Sequence, residues 1–170
     1  MADAWMPEEF FEWARPMLPA EKEIGPQGGR PSASHHTVLK VIWFVLATGI
    51  RWKDVPQEMG CCGETARTRL QVWERAGIWD RLHQLLLTML NREKQLHLET
   101  AIIDTTQVRA FGGGEETGPS PVDRRKKGTK YTLLVDRDGV PLVLRAVAAN
   151  RSDHLEILPA VTSFPEVGGK

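Results

Sequence analysis

The chain has 170 residues, 22 Lys/Arg against 22 Asp/Glu and 41% apolar residues, proportions of a folded, water-soluble protein and not of a disordered or fibrous one. Its two cysteines, Cys61 and Cys62, are adjacent, which excludes a disulfide framework and matches no zinc-ligand spacing. The acidic N-terminus is not a signal peptide, and the longest apolar run, Val41 to Ile50, is far short of the roughly 20 residues that span a bilayer, so a reduced, cytoplasmic setting is expected.

The zero net charge hides an uneven distribution. Residues 1–29 carry six acids against Arg15 and Lys22, whereas residues 30–94 carry ten Lys/Arg against six Asp/Glu. A mildly basic stretch of this kind is compatible with nucleic acid as a partner without requiring it. Residues 3–18 read as an amphipathic helix with Trp5, Phe10, Trp13 and Met17 near one face, limited by Pro19. Pro26-Gln27-Gly28-Gly29-Arg30-Pro31 is a breaker cluster, hence a loop or arm. Arg30 in that arm is either a solvated linker residue or a cation for a DNA minor groove.

Ser34 is an N-cap candidate for a helix to about Ala47, with Val38, Val41, Ile42, Val45 and Leu46 apolar and Gly49 as its stop. Trp52 to Pro56 and Gly60 to Gly63 are turns. A second helix follows from Glu64 to Ala76, with Ala66, Leu70 and Trp73 forming a core stripe. Its other face carries Arg67, Thr68, Gln71 and Arg75, side chains able to read base edges or hold phosphates. Two helices with such a face fit a helix-turn-helix; the same pattern fits an ordinary bundle with a solvated face, and the connection is longer than the usual turn. A third helix runs from Trp79 to about Lys94. All six tryptophans precede residue 80, so residues 1–97 are expected to form a mainly helical domain with its own core.

Ala101-Ile102-Ile103-Asp104-Thr105-Thr106-Gln107-Val108-Arg109 reads as a buried β-strand with a carboxylate in its middle. An acid so placed needs a cation or hydrogen bonds to offset several kcal/mol of desolvation. It is either a structural partner or a working group. Phe111 to Val122 is a loop without periodicity. Arg124, Arg125, Lys126, Lys127 and Lys130 then supply five cations without an acid, a solvated loop or a contact for DNA backbone. Tyr131 to Val135 and Val140 to Val147 are strands joined by the turn Asp136-Arg137-Asp138-Gly139. A helix from Leu155 to about Thr162 follows, with Ser152 or Asp153 as N-cap.

Several of these stretches occur together in an order that resembles one known family. Gly29-Arg30-Pro31 before the apolar helix, Thr48 to Pro56, Trp73 to Asp80, the strand around Asp104 and the run from Gly128 through His154 are similar to bacterial insertion-sequence transposases of the Asp-Asp-Glu type. The resemblance implies a helical, helix-turn-helix-like N-terminal domain over residues 1–97. Residues 98–170 would be the incomplete start of an α/β ribonuclease-H-like catalytic domain. It makes Asp104 the first of three carboxylates that bind Mg²⁺ or Mn²⁺, metals suited to carboxylate and phosphate oxygens. The implied chemistry is cleavage and joining of DNA at element ends by in-line attack, with two ions about 3.5–4 Å apart.

In this family the other two acids come after the point where the chain stops. The expectation is therefore a protein that binds no metal tightly alone and acts only when completed, for example from an adjoining reading frame, unless it is a truncated relic. A non-catalytic DNA-binding regulator of transposition is the alternative. A stand-alone metal-dependent nuclease is a third reading, against which the lack of further acids argues. A homo-oligomer is compatible with each.

Overall fold

Residues 6–21 and 31–167 are described by a computed structural model, and the chain divides into two units, Met1–His83 and Gln84–Lys170. In the first unit, α1 spans Glu8–Ala14 and runs into a 3-10 turn at Arg15–Met17. Ala14 is its buried residue and Phe10 is half-buried, with Met6 buried just before the helix. That spacing of four puts one stripe inward; of the face expected here Phe10 and Met17 are half-buried, whereas Trp13 is exposed. Trp5 and Arg30 lie outside the described residues.

Helix α2, His35–Thr48, begins where expected. The Ser34 hydroxyl accepts a hydrogen bond from the Thr37 amide at 3.2 Å, satisfying one of the donors that a helix start leaves open. It ends at Gly49, whose φ of 68° allows its amide to close on the Val45 carbonyl at 2.9 Å. Val38, Leu39, Val41, Ile42 and Val45 are buried, while Leu46 in the last turn is exposed, contrary to its expected place on the apolar face. Helix α3, Gly63–Arg75, buries Ala66 and Trp73 completely. The Trp73 ring meets His35 edge-on with centroids 5.4 Å apart and Trp79 at 6.0 Å. Between α2 and α3 lie two 3-10 turns, Trp52–Asp54 and Gln57–Met59. Helix α4, Ile78–Arg92, contains the division between the units, and the expected boundary near residue 97 falls in the connector after it.

The second unit is built on an antiparallel sheet of β1 (Ala101–Arg109), β2 (Gly118–Pro119), β3 (Lys127–Asp136) and β4 (Pro141–Ala148), followed by α5 (His154–Thr162). β3 is central, pairing with β1 along its whole length and with β4 and β2. The cross-strand row Ile103, Leu134, Val143 belongs to a core cluster with Leu87, Leu96 and Leu142. The adjacent row, Asp104, Leu133, Leu144, is on the opposite face, where Leu144 is 63% exposed.

Two expectations fail here. The strand around Asp104 is not buried: among the described residues β1 pairs with β3 alone, and Ile102, Asp104, Thr106 and Val108 are exposed. Its β-branched residues fit a pleated strand with one covered face, so composition marks the strand without marking its burial. The basic run is not a loop throughout, since β3 starts at Lys127, four residues before the expected Tyr131. No described helix is long and apolar enough to cross a membrane.

Candidate nucleic-acid interface

Helix periodicity sets the geometry of α3. With 3.6 residues per turn, burial of Ala66 and Trp73 turns residues 67, 68, 71 and 75 to the other side, and Arg67, Thr68, Gln71 and Arg75 are all exposed. The structure thus brings the four together on one surface. Arg67 lies 3.6 Å from Glu64, a surface pair of small worth, so its guanidinium can exchange that carboxylate for another acceptor. The Thr68 hydroxyl donates to the Glu64 carbonyl at 2.9 Å, which leaves its oxygen as an acceptor. The helix is held from behind. A Cβ on Gly63 would sit 1.9 Å from the carbonyl oxygen of Trp52 and 2.8 Å from a methyl of Val55.

In the second unit, Arg124, Arg125, Lys126 and Lys127 are exposed. Lys130 is not. It is 4% exposed, and its ammonium donates to the Arg151 carbonyl and, at 2.5 Å, to Asp153. Its expected role as a solvent-facing cation fails because the strand carries it inward, where an unpaired charge would be costly. The same pair corrects Asp153. It stands at the N-cap position of α5 without a capping hydrogen bond, and the Lys130 ammonium holds its carboxyl below the usual range.

Asp104 is exposed, and one of its carboxylate oxygens accepts from the Thr105 amide at 2.7 Å. Among the described residues no three His, Cys, Asp or Glu side chains are grouped so as to hold a metal ion. A single carboxylate does not fit a two-metal centre, which needs acids converging from several elements.

Sequence reasoning missed three charged groups. Asp136, read as a turn residue, is fully buried, with its carboxylate accepting from the amides of His97, Asp138 and Val140 at 3.0, 2.9 and 2.8 Å. Burial alone would raise its pKa, but these amides bring it below the usual range. Glu156 in α5 is also fully buried, 2.7 Å from Arg151 and 3.6 Å from Arg145. Arg109, the last residue of β1, forms a two-pronged pair with Asp123. The Asp-Gly turn after Asp136 and the lone acid in the apolar α5 were the available signals for the first two.

Residues 6–83, the span holding α1 to α3, match the family described as putative transposase of the IS4/5 family. The chain is 42% identical over 125 residues to an uncharacterized 16.2 kDa protein of insertion element IS402 from Burkholderia cepacia, covering 71% of the chain and 84% of that protein. The chain belongs to this family of insertion-sequence transposases. It is also 35% identical over 57 residues to the putative transposase for IS402 of the same organism. That alignment covers 34% of the chain and 27% of the relative. No solved structure matches the chain. The transposase family model ends within α4, so the α3 face lies inside the matched span and Asp104 outside it.

Proposed function

We propose that this transposase-family chain binds the DNA ends of its insertion element, with α2 and α3 acting as a helix-turn-helix that sets α3 in the major groove. The observation that carries this reading is the exposed face of Arg67, Thr68, Gln71 and Arg75 opposite a fully buried Ala66 and Trp73. Arg30, from the segment before α2, is assigned to the adjoining minor groove. Arg124, Arg125, Lys126 and Lys127 hold phosphates, adding affinity without sequence choice; Lys130 is left out because its charge is already paired.

Asp104 is assigned as the first carboxylate of a strand-cleaving centre that uses Mg²⁺ or Mn²⁺. Its partner acids are supplied by a C-terminal completion encoded in an adjoining reading frame. The 170-residue chain alone then binds neither metal tightly and cleaves nothing.

Replacing Arg67 is expected to cost about 1–3 kcal/mol on a specific site when it contacts a base. A gel-shift titration of the Arg67→Ala/Arg75→Ala variant on element-end DNA reads this directly, and unchanged binding would remove α3 as the docking helix. For Asp104, the chain and a version extended through the adjoining frame are incubated with element-end DNA and Mg²⁺ or Mn²⁺, each with and without Asp104→Asn. Cleavage by the extended chain alone, lost in the variant, is the expected result. Cleavage by the short chain that vanishes with Asp104→Asn overturns the assignment of a required completion.

A further inference from the structure

The loop between β2 and β3 holds two successive residues in a conformation their side chains disfavour. Arg124 has φ 49° and Arg125 φ 60°, the left-handed region that glycine and asparagine enter readily and other residues seldom do. Backbone geometry alone would select Gly or Asn at both positions. Such conformations persist where the surroundings over-determine them, and here they do.

The Ser120 hydroxyl, 4% exposed as a residue, donates to the Gln107 side-chain oxygen at 2.8 Å and accepts from the Asp123 amide at 3.2 Å. The Ser120 amide donates to the Lys126 carbonyl at 2.8 Å, and the Arg125 amide returns a bond to the Ser120 carbonyl at 3.0 Å. The Lys126 amide closes on the Asp123 carbonyl at 2.9 Å. Outside these backbone ties stands the Arg109–Asp123 pair. Arg109 Nε and Nη2 donate to the two carboxylate oxygens, the latter at 2.9 Å, which fixes orientation as a single contact cannot. By contrast, the guanidinium groups of Arg124 and Arg125 have no partner among the described residues.

A planar guanidinium suits the paired oxygens of a phosphodiester. Two neighbouring ones carried on a fixed backbone avoid the backbone part of the ordering cost that a flexible basic tail meets on binding. We propose that Arg109 and Asp123 are positioning residues. They lock residues 120–126 in the conformation that presents Arg124 and Arg125 together to the DNA backbone, though neither touches DNA. This inference rests on the reading of the basic run as a DNA contact, and it makes Asp123, an acid, a residue that strengthens binding to a polyanion.

The experiment measures binding of the full chain to an element-end duplex and to an unrelated duplex at several salt concentrations. The Arg124→Asn/Arg125→Asn variant keeps residues that tolerate the left-handed region while removing both charges. It is expected to flatten the log K against log salt slope by about 2 on both duplexes. Asp123→Asn makes the protein more positive, yet it is expected to weaken binding roughly 5-fold or more. The charge-swapped Arg109→Asp/Asp123→Arg chain, which restores a pair, is expected to recover most of that loss.

Binding by Asp123→Asn that is as tight as the original or tighter overturns the positioning role, as does a swap that recovers nothing. An Arg124→Asn/Arg125→Asn variant with unchanged slope removes the DNA contact itself, and the inference falls with it. Circular dichroism melting checks that the sheet survives each change. Should Asp123→Asn fail to fold, Arg109→Lys, which keeps the charge and loses the fork, takes its place with the same expected direction.

Discussion

The two units bury different kinds of residue. Among the described residues, His35 is the buried polar residue of the first unit, whereas the second buries Ser120, Thr129, Lys130, Thr132, Asp136 and Glu156. The contrast follows from where backbone hydrogen bonds go. Helices satisfy their own interior donors, so a helical core needs only apolar shape, supplied by Trp73, Ile42 and their neighbours. A small sheet entered and left by irregular connections has amides that no ladder reaches. Asp136 collects three of them. In the second unit, charge does structural work that aromatic packing does in the first.

The sharpest way to separate the two is to remove one anchor from each. Trp73→Ala is expected to destabilise the first unit by about 3–5 kcal/mol, the range for deleting a buried aromatic. Urea titration followed by tryptophan fluorescence reads that unit selectively, because every tryptophan precedes residue 80. Asp136→Ala leaves buried amides without an acceptor and is expected to cost the second unit about 2–4 kcal/mol. Amide hydrogen exchange in β3 and β4 reads the loss. An equal drop in the tryptophan-detected transition would show that the units do not unfold independently, and would break the comparison.

Acid offers a milder probe. His35 is held below its ordinary value of 6.5, first by burial, against the opposing pull of Glu21. The unfolded chain therefore takes up a proton that the folded one refuses, and the first unit weakens as pH falls below about 6.5. Asp136 has its pKa depressed from 3.8. Its contribution is complete above that value and is lost only as pH falls further through the folded pKa. The tryptophan signal should thus begin to lose stability at a higher pH than the exchange protection of β3, and the reverse order would contradict the assignment of these groups.

What the sequence made legible follows the same divide. Ser34 and Gly49 mark the limits of α2 by local chemistry, and the spacing of Ala66, Leu70 and Trp73 orients α3 without any knowledge of its neighbours. The turn from Asp136 to Gly139 is equally local. That the Asp136 carboxylate also meets the His97 amide, 39 residues earlier, follows only from the folded arrangement. Lys130 resembled the four cations before it because composition is blind to strand parity. Arg109 and Asp123, 14 residues apart, belong to different elements and share no periodic signal. The exposure of Asp104 escaped for a related reason: an apolar run announces a strand, but its neighbours decide whether that strand stands at an edge.

The fit at Gly63 leaves less room than one methyl group. The aim of α3 is consequently limited from behind, by the carbonyl of Trp52, while the residues it displays lie on its exposed side. Aim and alphabet are separately adjustable. Exchanging Arg67, Gln71 or Arg75 would change what the helix displays and leave its direction alone. Gly63→Ala would keep every displayed side chain and force the packing of α3 against Trp52 and Val55 to shift.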